Sequence, residues 1–136
     1  MSVTELGTPS QLSTASSLRN QRVNEALAAL SAMRGVTAAA IVDKDGFVIH
    51  VRPEFELDID ALGAATQIVF GAAKRASEHV RQGSTNLVVS ENGEGITIIA
   101  PLVKGFLLTV VADGSAMLGA LRYEMKDLVP QLNQLF

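Results

Sequence analysis

From Asn20 onward the apolar residues of the chain follow two different spacings, and the spacing identifies the element each stretch forms. Val23, Ala26, Leu27, Leu30 and Met33 recur every three or four residues, so they share one stripe of a helix. Arg34 in its last turn and Gly35 just beyond are stop signals. Two β-type runs follow, Val36 to Asp43 and Phe47 to Val51, and Lys44-Asp45-Gly46 between them is a hairpin turn. Arg52-Pro53 closes the second run, because proline has no N–H for a ladder.

A long helix is predicted next, over about Ile59 to Gln82, with Asp58 as its cap, Asp60 in its first turn and Gly83 as its stop. Its apolar positions, among them Ala61, Leu62, Ala64, Ala65, Ile68, Val69, Ala72 and Ala76, cover an arc of about 180°, against the roughly 100° needed to sit on one sheet. The helix therefore needs a second apolar contact. Much of the arc is alanine, which permits close approach of another helix. The same helix of a second copy is the simplest source, which makes Ala61, Ala64, Ala65, Ile68, Ala72 and Ala76 candidate dimer-interface residues. Phe70 points away from the core in this reading, so it is grouped with the polar flank.

Ser84 to Ser90 reads as a third strand, and Asn92-Gly93-Glu94-Gly95 turns it into the most apolar stretch of the chain, Gly95 to Asp113. Pro101, Lys104 and Gly105 divide that stretch into two strands with a tight turn at Lys104-Gly105, too interrupted for a membrane span. Both strands are apolar at nearly every position, so both faces of the sheet must be covered. Met117, Leu118, Leu121, Met125, Leu128, Leu132 and Leu135 mark a last helix, with Asp113 or Ser115 as cap and Pro130 expected to bend or end it. The order is α-β-β-α-β-β-β-α, an α/β (α+β) fold with a five-stranded, mainly antiparallel sheet between helices.

Composition narrows the possibilities. With 48% apolar and 18% charged residues over 136 positions, the chain suits one packed domain, expected over residues 17–136. Residues 1–16 carry no apolar period and are expected to be a mobile tail without a signal peptide, hence a cytoplasmic location. The absence of cysteine excludes thiol chemistry and disulfides. The net charge of −3 comes with no cluster of cations, so nucleic acid is not an expected partner, and with the apolar stretch read as two strands neither is a membrane.

No catalytic constellation emerges. His50 and His79 lack a ligand spacing, so no metal site is expected. Asp43, Asp45 and Glu54 echo a calcium loop, but its glycine stands in the wrong place and Phe47 fills a ligand position. Asp58 and Asp60 read as helix-capping groups and Ser115 as a cap without a base. The glycines of ENGEG and ADGS lack a phosphate-loop spacing, so no cofactor is expected. An enzyme is the least favoured class.

Residues 34–49, RGVTAAAIVDKDGFVI, resemble the first hairpin of the Roadblock/dynein light-chain family, of the type that regulates bacterial small GTPases. Residues 86–113, NLVVSENGEGITIIAPLVKGFLLTVVAD, resemble its three-strand meander. The resemblance implies a profilin-like sheet of order 2-1-5-4-3, with the first and last helices on one face and the long helix on the other. It implies a homodimer in which third strands pair edge to edge, adding Asn86 and Val88 to the interface. It further implies a non-enzymatic scaffold for a Ras-like small GTPase, with Gln67, Phe70, Lys74, Arg75 and Glu78 as candidate contacts. The alternatives are a small-ligand sensory domain and an adaptor subunit of a motor or sensor-kinase complex.

Overall fold

The computed structural model describes residues 9–53 and 58–136. The elements are α1 (Pro9–Ser31), β1 (Val36–Val42), β2 (Val48–Arg52), α2 (Ile59–His79), β3 (Val88–Asn92), β4 (Gly95–Pro101), β5 (Leu107–Asp113) and α3 (Leu118–Asn133), the order that the spacing predicts. All four strand pairings are antiparallel and the sheet order is β2-β1-β5-β4-β3, as the family resemblance implies.

Helices cover both faces, which explains why β4 and β5 are apolar throughout. On one face Val23, Leu27 and Leu30 of α1 and Leu121, Met125, Leu128 and Leu132 of α3 enclose Ile41, Ile98, Leu108 and Val110. On the other, α2 brings Val69 and Phe70 against Val42, Ile99 and Leu107. Strand residues alternate between these clusters, so β1, β3, β4 and β5 each contribute to both.

The β1–β2 turn is closed locally and then used as a seat for α2. The Asp43 carboxylate accepts hydrogen bonds from the N–H groups of Asp45 and Phe47, both at 2.9 Å, and Gly46 takes a φ of +90° that glycine adopts without strain. Gly63 of α2 lies directly on this turn: a Cβ there would stand 2.0 Å from the Gly46 carbonyl oxygen. One turn later the Gln67 amide donates to the Asp43 carbonyl oxygen at 2.7 Å. At the start of α2 the Asp58 side chain accepts from the Ala61 N–H at 3.1 Å, the capping role the sequence indicates.

Several boundaries differ from the sequence reading. The first helix begins at Pro9, so residues 9–16 of the expected tail are helical; residues 1–8 lie outside the described residues. Side chains 14–22 are exposed, and a helical segment that buries no face leaves no apolar stripe in the sequence. Strand β3 begins at Val88, paired with Ile99, rather than at Ser84. Continuing the ladder would bring Asn86 opposite Pro101, which has no N–H to offer. Helix α2 stops at His79, and Arg81 then takes a left-handed φ of +58°.

The α3 cap also differs: neither Asp113 nor Ser115 caps it. Instead the Asp113 carboxylate accepts from the Ser115 hydroxyl at 2.6 Å and its N–H at 2.9 Å, tightening the loop ahead of Leu118. These bonds hold Asp113 below the ordinary carboxylate pKa, the hydroxyl bond foremost. Pro130 does not end α3, which continues to Asn133.

Candidate functional site

Helix α2 carries three lengthwise stripes, and their different surroundings define the site. The stripe through Gly63, Thr66, Phe70 and Ala73 faces the sheet. Phe70 is half-buried there, packed with Val42, Ile99 and Leu107, rather than turned away from the core. The helical period places it in line with Gly63 and Thr66, although polar neighbours flank it in sequence.

The second stripe holds Ala61, Ala64, Ala65, Ile68, Ala72 and Ala76, separated by steps of one, three or four residues. All six are exposed in the single subunit, and Ile68 retains 69% of its free surface. Arg75, seven residues after Ile68, falls on this same stripe. Beside the helix runs β3, an edge strand whose backbone pairs on one side only, with β4. A groove separates the two, lined by Ala73, Ala76 and Val80 from the helical side and by Thr85, Asn86 and Val88 from the strand side. Asn86 is exposed just ahead of β3, and Val88, its first residue, sends its side chain toward the Val42–Ile99–Leu107 cluster.

The third stripe is polar and borders a cleft of about 1050 Å³. Gln67, Lys74 and Glu78 line it together with Phe70, so four of the five residues expected to contact a partner meet along one surface. Arg75 is the exception. Arg81, which the helical period groups with the same polar side, joins the cleft from just beyond α2, and the cleft also contains residues that no sequence pattern singled out for it: Lys44 from the β1–β2 turn, and Phe106 and Leu107 at the start of β5. Lys44 lies in the Asp-Gly turn, which only the folded chain places against α2. The ring of Phe106 stacks on Phe136 with centroids 4.7 Å apart, and Lys104 donates to the Phe136 carbonyl oxygen at 3.0 Å, which ties the chain end to the β4–β5 turn.

Among the described residues no group of three or more His, Asp or Glu side chains converges as a metal site. Glu54 of the calcium-like run lies outside them, and the Asp43 carboxylate is occupied in closing its turn. His50 sits on β2 opposite Ile41 and His79 at the end of α2; partial burial pushes the His50 imidazole below its usual pKa. The Ser115 hydroxyl donates to Asp113. Among the described residues no helix is long and apolar enough to cross a membrane.

Comparison with known proteins agrees with this architecture. The solved Roadblock/LC7 domain of Streptomyces avermitilis superposes with a TM-score of 0.73 at 22% identity, covering 80% of this chain and 92% of that one. The gliding protein MglB of Thermus thermophilus does so with a TM-score of 0.76 at 18% identity, covering 86% and 90%. An MglB structure described as having a tetrameric arrangement gives 0.77 at 18% identity, covering 86% and 89%. Two uncharacterised proteins of Methanocaldococcus jannaschii are each 27% identical over 114 residues, 84% of this chain and 99% of theirs. The family model of the Roadblock/LC7 domain matches residues 22–112, from within α1 to the end of β5, and the chain belongs to the Roadblock/LC7 family.

Proposed function

We propose that the chain is a non-enzymatic homodimeric platform that binds a Ras-like small GTPase, with the α2 helices of two copies side by side as the docking face. The observation that carries this reading is the outer stripe of α2, six small or apolar residues in line and all exposed to water. An apolar stripe beside an unpaired strand edge is the kind of surface that a two-fold contact covers, burying the stripe and completing the ladder together. The tetrameric arrangement described for an MglB structure supports self-association among proteins of this fold.

Pairing the α2 stripes leaves the polar flank and its cleft accessible on each copy. Lys74 and Glu78 then present charges at the margin of the shared surface, where charges set association rate and orientation more than affinity. The platform acts by holding the GTPase's own switch segments rather than by supplying an arginine finger: Arg75 lies on the pairing stripe, and Arg81 lines the cleft as one of several cations, not as a lone projecting arginine. Filling of the space between α2 and the sheet by Val42, Ile99, Leu107 and Phe70 favours this over a small-ligand sensor, which needs a pocket there.

Two measurements test the reading. In sedimentation at micromolar concentration the expected mass is twice that of the 14.4 kDa chain, and a single copy removes the platform. In pull-down, immobilised chain is expected to retain a Ras-like GTPase loaded with GTP in preference to GDP, and Lys74→Glu to weaken retention. Since Phe70 packs in the core, Lys74→Glu alone probes the face; equal retention by the variant discards it.

A further inference from the structure

We propose that the cleft along the polar flank of α2 receives an extended acidic segment of the regulated partner, in which Asp or Glu residues flank one large apolar side chain. The inference rests on α2 being a docking face and names the chemistry that face recognises. Three cations reach the cleft from separate places: Lys44 from the β1–β2 turn, Lys74 from the middle of α2, and Arg81 from the left-handed position after it. Glu78 is the one acidic residue lining it, within a chain whose net charge is −3, so the cleft reverses the sign of the molecule locally. None of the three cationic side chains has a partner among the described residues. Phe106 and Leu107 give the same cleft an apolar wall, suited to a side chain that anchors a segment between its carboxylates.

Gly71 supplies a second, independent observation. It lies mid-helix on the wall of the cleft, where glycine weakens a helix, yet a Cβ added there would meet nothing of this chain within 4 Å. Internal packing therefore gives no reason for a glycine at this position. An incoming backbone does, because the bare helix surface lets it approach closely between Lys74 and Phe70. A nucleic-acid strand is a poorer fit, since it calls for a longer track of cations with exposed stacking rings.

The test uses the full chain and fluorescein-labelled nine-residue peptides: four Glu around a central Leu or Phe with Gly spacers, and matched peptides with Lys for Glu. Anisotropy is expected to show saturable binding of the acidic set that weakens with added salt, and none of the basic set. Lys74→Glu and Arg81→Glu are each expected to lower affinity about tenfold. Gly71→Leu is expected to lower it similarly with no loss of thermal stability, which separates blockage from unfolding. Equal binding of acidic and basic peptides, no binding of either, indifference to both charge reversals, or full displacement by inorganic phosphate at matched charge overturns the proposal. A chain that retains the GTP-loaded GTPase but ignores acidic peptides loses only this inference; loss of both removes the docking face as well.

Discussion

Gly63 and Gly71 stand two helical turns apart on α2 and have opposite physical reasons for being glycine. At Gly63 the backbone of the β1–β2 turn leaves no room for a side chain, so Gly63→Ala is expected to destabilise the fold by about 1–3 kcal/mol. At Gly71 nothing stands within 4 Å of the missing Cβ, and Gly71→Ala is expected to stabilise by about 1 kcal/mol through helix propensity. Urea denaturation of both variants checks the pair, and equal shifts of the same sign contradict the account. His50 makes a pH prediction. Its folded pKa lies below the ordinary 6.5 because burial disfavours the imidazolium, so the unfolded chain takes up the proton more readily. Stability therefore falls as pH drops from 6.5 toward that lower folded value, and levels off beneath it. Melting temperatures over pH 7.5 to 5 are expected to decline less in His50→Gln than in the parent chain, and parallel curves count against His50.

At the scale of elements, α2 is held by its buried stripe and its amino-terminal fixings, while its outer stripe is left for another surface. The Asp58 cap bonds the Ala61 N–H, and Asp58→Ala is expected to cost about 1 kcal/mol in chemical denaturation. Ile68→Asp acts on a different property. Ile68 is exposed in one subunit, so the substitution is expected to leave the folded monomer intact by circular dichroism while shifting sedimentation from dimer to monomer. A variant that still sediments as a dimer places the contact elsewhere. Helix α1 shows the same separation along its length: Val23, Leu27 and Leu30 anchor it to the sheet, whereas side chains 14–22 touch no core.

At the scale of the whole molecule, the sheet has helices on both faces and, among the described residues, two unpaired edges, β2 and β3, and β3 borders the groove beside the outer stripe of α2. A dimer formed through that edge links folding to association. The melting temperature is then expected to rise with protein concentration, because dissociation accompanies unfolding. A melting temperature constant across a hundredfold dilution, roughly 100 to 1 μM, argues against a dimer held this way.

Local spacing was enough to specify the element order, the Asp-Gly hairpin, the Asp58 cap and the two-sided burial of β4 and β5, because each depends on residues a few positions apart. The surplus apolar arc of α2 was equally legible, since a helix's circumference is written in its own period. What the period could not convey was how the rest of the helix meets the sheet. Only packing on the sheet assigns Phe70 to the core and Gln67 to the Asp43 carbonyl. The start of α1 escaped notice because its side chains 14–22 are exposed, and a helical stretch with no buried face has no pattern to read. The cleft escaped for a related reason: Lys44 and Phe106 stand far from Lys74 and Arg81 in sequence, and only the packing of α2 on the sheet brings all four around one cleft.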